Sequence, residues 1–279
     1  MVLTDEQAAA FERDGYLVLP DFVDADACAA LINRAATLVD AFEPADFASV
    51  FSTTEQTKTS DAYFLASGDK IRFFLEPEAV DERGRLVRDK ARSVNKIGHA
   101  LHDLDPVFTA FSRRPALAAV TTGLGLADPR LIQSMFIYKS PDIGGEVICH
   151  QDATYLHTEP ESVIGFWFAL QDANRDNACL WALPGGHRAG LKKRFRRDGE
   201  GGVVFDVFDD TPFPEEHFVP LEVPRGTLIV LHGLLPHFSG PNRSTRPRHA
   251  YTLHVIDGAC RYPEDNWLQR DASMPARGF

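Results

Sequence analysis

Two histidines, an aspartate and an arginine are the residues of this chain whose types and spacing best suit metal chemistry. His150 and Asp152 are separated by one residue, and His237 and then Arg248 follow far downstream. Two imidazoles and one carboxylate can occupy one face of an octahedral Fe(II) ion and leave three positions open to small molecules. An arginine can bind a dicarboxylate through parallel N–H groups. The pattern therefore predicts an oxygenase centre.

The neighbouring sequence supports the His-x-Asp triplet as a metal site and decides which second histidine is the predicted ligand. A His-x-Asp triplet alone is weak evidence, since about one is expected by chance in a chain of this size. This triplet follows a short apolar run, in which residues two apart point to the same face and can bind one ion. His232 is the alternative to His237, because it lies within another apolar run. We favour His237, because Arg248 then lies on the next strand, which runs back past the metal.

The composition favours a globular enzyme that acts on a small molecule. The chain has 279 residues, and 44% of them are hydrophobic, which suits one large domain over residues 1–279. A net charge of -11 disfavours binding to nucleic acid or to anionic membranes. No apolar run approaches the roughly 20 residues that span a bilayer, and the acidic, amphipathic start does not resemble a secretory signal. We therefore expect a cytoplasmic protein.

The four cysteines form no Cys-x-x-Cys pair. This scatter favours buried, reduced thiols over a disulfide framework or a zinc site. The residues concerned are Cys28, Cys149, Cys179 and Cys260.

Helices are predicted first along the chain, and short strands follow. Thr4 and Gln7 form a capping box for a first helix that ends at Asp14-Gly15, Asp24 caps a second, and two more are expected over residues 105–112 and 115–122. After residue 130, Gly- and Pro-rich turns separate runs rich in Val, Ile, Phe and Tyr. The predicted strands are Leu131–Lys139, Glu146–Cys149, Val163–Leu170, Cys179–Leu183, Thr227–Leu231 and His249–Ile256.

This order of elements predicts a mainly β protein. Its core would be a double-stranded β-helix (a cupin-like jelly roll) with the N-terminal helices packed on it. Residues 44–70 lack periodicity and are predicted to form a loop, with Phe51, Tyr63 and Phe64 packed against the core. The basic run Lys192–Arg197 is predicted to be a solvated loop.

The chain resembles the phytanoyl-CoA dioxygenase family in one register over nearly its whole length. The segments that carry the resemblance are Asp14-Gly-Tyr-Leu-Val-Leu, Asn95-Lys-Ile-Gly-His, Gln133-Ser-Met, Gly144-Gly-Glu-Val, His150-Gln-Asp-Ala-Thr-Tyr-Leu-His, Pro184-Gly-Gly-His, His237-Phe-Ser-Gly-Pro-Asn-Arg-Ser, Arg248 and Asn266-Trp-Leu. The resemblance implies the double-stranded β-helix fold and an enzyme that uses Fe(II), 2-oxoglutarate and O2. It also implies that Lys96, Met135 and Trp167 line the co-substrate pocket.

The predicted reaction is hydroxylation of an unactivated C–H bond in a small-molecule or acyl-type substrate, with release of succinate and CO2. Ascorbate is expected to support turnover in vitro. Arg248 would bind the far carboxylate of 2-oxoglutarate, with Lys96 as a second cation. Asp152 favours hydroxylation, because similar halogenases have a small residue at that position. The alternative is a cupin-like isomerase or metal-binding module that does not use 2-oxoglutarate, and such a protein has no need for these two cations.

One position departs from the family pattern. Many similar enzymes have a hydroxyl residue two positions after the arginine, where this chain has Ala250. Lys96 or Tyr138 could supply the missing contact.

Other histidines are predicted to be structural more often than functional. His99, His102 and His157 lie near the segments named above, and His187 follows a Pro-Gly-Gly turn. These patterns determine neither the prime substrate nor the oligomeric state.

Overall fold

The fold is built on two antiparallel sheets. The computed structural model describes residues 3–43, 49–50, 61–81 and 85–279. The strands are β1 Tyr16–Leu19, β2 Ile71–Leu75, β3 Val94–His99, β4 Pro129–Ile137, β5 Val147–His150, β6 Ile164–Ala169, β7 Leu180–Ala182, β8 Lys193–Arg197, β9 Val203–Val207, β10 Val219–Leu221, β11 Leu228–His232, β12 His237–Ser239 and β13 Ala250–Asp257. A seven-stranded sheet has the order β1-β11-β6-β13-β4-β3-β2, a four-stranded sheet has the order β10-β7-β12-β5, and β8 and β9 form a separate hairpin.

The helices begin where the sequence supplies capping side chains. Thr4 and Gln7 form the predicted capping box, and the Asp24 carboxylate accepts from the Ala27 N–H at 2.7 Å. The helices are α1 Asp5–Asp14, α2 Ala25–Ala41, α3 Ala62–Leu65, α4 Lys90–Ser93, α5 Leu101–Leu104, α6 Pro106–Ser112 and α7 Pro115–Gly123. Within the described ranges, no helix is both long and apolar enough to cross a bilayer.

The large sheet separates two apolar layers, because its side chains alternate between its faces. Phe166 and Phe168 belong to the cluster that includes helix residues such as Leu31 of α2. Trp167 and Ala169 point the other way, into a cluster with residues of the small sheet. The two sheets thus enclose a layer of their own, and the helices cover the outer face of the large sheet. This is the predicted mainly β, double-stranded β-helix architecture.

Gly15 shows how the first helix is joined to this core. Its φ of 80° lies in the left-handed region, and a Cβ there would come within 2.4 Å of the His187 ring. His187 Nε2 in turn lies 3.1 Å from the Glu12 carbonyl oxygen. His187 is therefore a structural residue, as predicted, although it is also buried.

Several local predictions were wrong. The basic run is not a loop: Lys193–Arg197 is a strand, in which Arg196 pairs with Asp206 of β9. Part of the predicted loop 44–70 is helical (α3, Ala62–Leu65), whereas Phe51 lies outside the described residues. Cys28 and Cys179 are buried as predicted, but Cys149 is exposed and Cys260 is partly exposed.

Candidate metal and co-substrate site

Three side chains converge between the two sheets as a candidate metal site. His150 ends β5, Asp152 follows in a short 3-10 turn, and His237 begins β12 directly opposite His150 in the strand register. The Nε2 atoms of the two histidines lie 3.6 Å and 3.7 Å from the same oxygen, Asp152 Oδ1. Ligand atoms of all three residues lie within 4.8 Å of one another. Atoms about 2.1 Å from a shared ion show separations of this order.

Hydrogen bonds to the backbone fix which ring nitrogen faces the ion. His150 Nδ1 lies 2.8 Å from the Ile148 carbonyl oxygen, and His237 Nδ1 lies 3.0 Å from that of Leu235. A carbonyl only accepts, so each Nδ1 carries the proton and each Nε2 presents its lone pair. This arrangement is typical of metal-binding histidines.

The electrostatics of the site favour a bound cation. Burial by itself would raise the pKa of the Asp152 carboxyl, but His254 and His237 hold this pKa well below its usual value. Burial, together with His150, lowers the pKa of His237 to about 4. At neutral pH the site thus presents a carboxylate and a neutral imidazole, which are the protonation states that a metal ion requires.

An inner cavity of about 140 Å³ extends from these residues along the large sheet. Residues that pair across neighbouring strands of the large sheet line one side of this cavity in two rows. The first row joins Gln133, His254 and Gly165, and the second joins Met135, Thr252 and Trp167. The first row lies under the candidate metal site, because Asp152 Oδ2 approaches both His254 and Gly165.

Arg248 lines the same cavity and is only 1% exposed. Its Nε donates to the Ala178 carbonyl at 3.1 Å, and its Nη2 donates to Ser239 Oγ at 3.2 Å. Its Nη1 is buried without a hydrogen-bond partner, and no carboxylate of the described residues pairs with it. Burial lowers the pKa of Arg248 to about 10, but the guanidinium remains charged at neutral pH. A buried cation without a counter-ion is unusual in a folded protein.

The other predicted pocket residues also line this cavity: Lys96, Met135 and Trp167. The Trp167 ring lies 5.2 Å from the Arg248 guanidinium carbon. Lys96 Nζ lies above the rings of Phe64 and Phe74, and burial lowers the pKa of Lys96 well below its usual value.

Lys96, one of the two side chains predicted to compensate for the hydroxyl missing at Ala250, lines the cavity. Tyr138 is not among the cavity residues and packs instead against Phe136 and His249. Thr252 does line the cavity, two residues beyond Ala250 on the same face of β13. The sequence did not single out Thr252, although the period of two along this strand could have identified it.

The remaining histidines divide between the cavity and the scaffold. His232 is outside the metal group and packs against His187, with ring centroids 4.9 Å apart and the rings tilted by 41°. His102 binds Ser134 Oγ at 2.8 Å, and His157 lies near two glutamates, so neither lines the cavity. His99 and His254 do line it, although no pattern in the sequence predicted a role for His254.

A larger outer cleft of about 1040 Å³ opens beside the metal residues. It shares four lining residues with the inner cavity: Ile148, His150, Tyr155 and Phe238. Phe238 stacks on Trp181 in its wall, with ring centroids 5.9 Å apart. Lys192 and Asp209 also line the cleft, and Lys192 Nζ pairs with the Asp209 carboxylate at 2.9 Å. The exposed Cys149 lies in this cleft and does not pack in the core as predicted.

The chain has relatives with known family descriptions. Residues 11–250 match the family model described as phytanoyl-CoA dioxygenase (PhyH). The chain is 46% identical over 272 residues to phytanoyl-CoA dioxygenase 1 of Oryza sativa subsp. japonica, covering 96% of this chain and 94% of that protein. It is 42% identical over 283 residues to phytanoyl-CoA dioxygenase domain-containing protein 1 of Mus musculus, covering 98% and 97%.

Solved structures share the fold at lower identity. The epimerase SnoN, in complex with Fe3+, alpha ketoglutarate and nogalamycin RO, superposes with a TM-score of 0.67 at 16% identity and covers 99% of this chain and 92% of that one. Apo EctD from S. alaskensis gives 0.64 at 22% identity, covering 96% and 82%. The predicted fold is therefore confirmed, and so is the predicted enzyme class, a dioxygenase. By its family model and its relatives, the chain belongs to the phytanoyl-CoA dioxygenase family.

Proposed function

We propose that the protein is an Fe(II)- and 2-oxoglutarate-dependent oxygenase that hydroxylates a small molecule. One observation supports this most strongly: a His-Asp-His metal group and a buried arginine that pairs with no carboxylate of the described residues line the same 140 Å³ cavity. The donor set suits Fe(II), and the orphaned guanidinium N–H suits a carboxylate. When bound, iron with 2-oxoglutarate and O2 supplies the oxidising power for hydroxylation, with release of succinate and CO2.

Each residue then has a separate task. His150, Asp152 and His237 would hold the metal through their side-chain nitrogen and oxygen atoms at the edge of the cavity. Arg248 binds the far carboxylate of 2-oxoglutarate, with Trp167 packed against its guanidinium. Lys96, Met135 and Thr252 border the space between. The apolar rings around Lys96 exclude water, which strengthens each charge-assisted contact.

We further propose that the prime substrate approaches through the outer cleft. The cleft meets the inner cavity at His150, so a substrate in it would place one C–H bond beside the metal while its body stays outside. The stacked pair Trp181 and Phe238 offers an apolar surface to that body. We therefore expect a substrate with an apolar part, either a small molecule or an acyl-type compound.

One assay separates this proposal from a cupin-like protein that does not use 2-oxoglutarate. Purified protein is incubated with Fe(II), ascorbate and 2-oxoglutarate but no prime substrate, and succinate is measured. We expect slow, iron-dependent succinate release and a rise in melting temperature with N-oxalylglycine. Absence of both effects in metal-loaded protein would refute the proposal and favour the alternative.

A further inference from the structure

The two oxygens of the Asp152 carboxylate face different partners. Oδ1 faces the Nε2 atoms of His150 and His237, at 3.6 Å and 3.7 Å. Oδ2 is buried, makes no well-aligned hydrogen bond among the described residues, and lies 3.3 Å from Nε2 of His254. His254 is only 6% exposed and does not belong to the metal group itself. One oxygen thus faces the ion site, and the other faces a fourth histidine.

Gly165 makes this approach possible. It lies directly opposite His254, where β6 pairs with β13. A Cβ at position 165 would come within 2.6 Å of Asp152 Oδ2, closer than real Cβ contacts allow, and within 3.7 Å of the His254 ring. The glycine therefore leaves the space in which the carboxylate can reach the imidazole. Gly165 is the one glycine among the described residues of β6, and it lies where the Asp152 carboxylate approaches this strand.

We infer that His254 is a positioning residue for the metal site. Its Nε2 lies 3.3 Å from Oδ2 of Asp152 and would hold that oxygen electrostatically, and Gly165 provides the space, so that the carboxylate would bind iron through Oδ1 alone. A carboxylate held in this way occupies one coordination position instead of two and leaves the remaining positions for 2-oxoglutarate and O2. The inference rests on the proposed metal site and adds to it a residue that contacts a metal ligand but does not bind the metal itself.

Co(II) binding tests the inference without turnover. Co(II) is titrated into the metal-free full-length protein, and its visible absorption reports both affinity and coordination. We expect His254→Leu to weaken Co(II) binding by about 10- to 100-fold, as is typical when a partner of a metal ligand is lost, and to change the spectrum. Gly165→Ala should act in the same direction, because its Cβ displaces Oδ2. His254→Gln keeps an N–H donor of similar reach and should recover most of the affinity.

A matched control separates positioning from packing. His249 lies on the same segment but packs on Tyr138, away from the cavity, so His249→Gln should keep the wild-type affinity and spectrum. Wild-type behaviour of both His254→Leu and Gly165→Ala would refute the inference alone. Equal losses in His254→Gln, His254→Leu and His249→Gln would also refute it, since they would indicate a packing effect. Failure of the wild-type protein to bind Co(II) would refute the proposed metal site and this inference together.

Discussion

Replacing Arg248 with methionine should change ligand binding and stability in opposite directions. Methionine has a similar length and no charge, so it fills the space without a donor. In the ligand-free protein the guanidinium is buried, and its Nη1 has no hydrogen-bond partner among the residues that the structure describes. Because the folded-state pKa is lowered to about 10, the charged form costs stability at every pH below that value, and the cost declines as pH rises from 10 to 12.5. At neutral pH the full cost is present.

The expected magnitudes follow from this burial. Loss of one partner from a buried charge pair costs about 2 to 5 kcal/mol, which corresponds to a Kd for 2-oxoglutarate about 30- to several-thousand-fold higher. Replacement of a buried charge by an apolar side chain is often neutral or stabilising, by about 1 to 4 kcal/mol. We therefore expect the ligand-free Arg248→Met protein to melt at the same temperature as the wild type or higher.

Calorimetry and thermal melting measure the two effects separately. 2-Oxoglutarate is titrated into Mn(II)-loaded protein, and melting is recorded without ligand. Arg246→Met is the matched control, since Arg246 is exposed in the same segment, and it should change neither quantity. Unchanged affinity for 2-oxoglutarate in Arg248→Met would refute the assigned role. A large drop in ligand-free melting temperature, with weaker binding as its consequence, would show that Arg248 is structural instead.

Three further predictions concern neighbouring residues. His237→Ala should lose Fe(II) binding and His232→Ala should keep it, as measured by metal content after dialysis; the reverse result would exchange their roles. Burial lowers the pKa of Lys96, and 2-oxoglutarate bound beside it should raise this pKa again, so that the protein takes up protons on binding. Titration calorimetry in two buffers measures this proton uptake, which should be smaller in Lys96→Met. Burial lowers the pKa of Lys139 to about 7, so wild type should gain stability relative to Lys139→Met as pH rises from 7 to about 10, by at most about 1.4 kcal/mol per pH unit. The free energy of unfolding is measured with denaturant at each pH, and a difference between wild type and Lys139→Met that does not change with pH would contradict this prediction.

Most of the sheet architecture was predictable, because its buried strands are apolar runs between strong turns. The exceptions have specific physical reasons. β8 contains four basic residues, and its strand state depends on pairing with β9, as in the ion pair of Arg196 and Asp206. β12 has only three residues, too few for a periodic pattern. β2 and β3 extend the large sheet beyond β4 through pairings that no local turn signals.

The residues of the candidate site were predictable where metal binding restricts the residue type. They were missed where their role depends on which side chains pack together in the fold. His150, Asp152 and His237 have spacings and types that few structural roles require. His254 was missed because a lone histidine in an apolar strand usually has a structural role. Its signal was the alternation along β13, since it lies two residues beyond Thr252, which lines the same cavity. The importance of Gly165 could not be predicted, because it depends on which side chain approaches from another strand.

The central claim is that one cavity holds Fe(II) and 2-oxoglutarate together. Anaerobic addition of 2-oxoglutarate to the Fe(II)-loaded protein tests it most directly, since chelation of the iron by a 2-oxo acid produces a visible metal-to-ligand charge-transfer band. We predict a saturable band in the wild type, no band in His237→Ala, and a band in Arg248→Met only at much higher 2-oxoglutarate. Stoichiometric iron in the wild type without any band at saturating 2-oxoglutarate would contradict the claim.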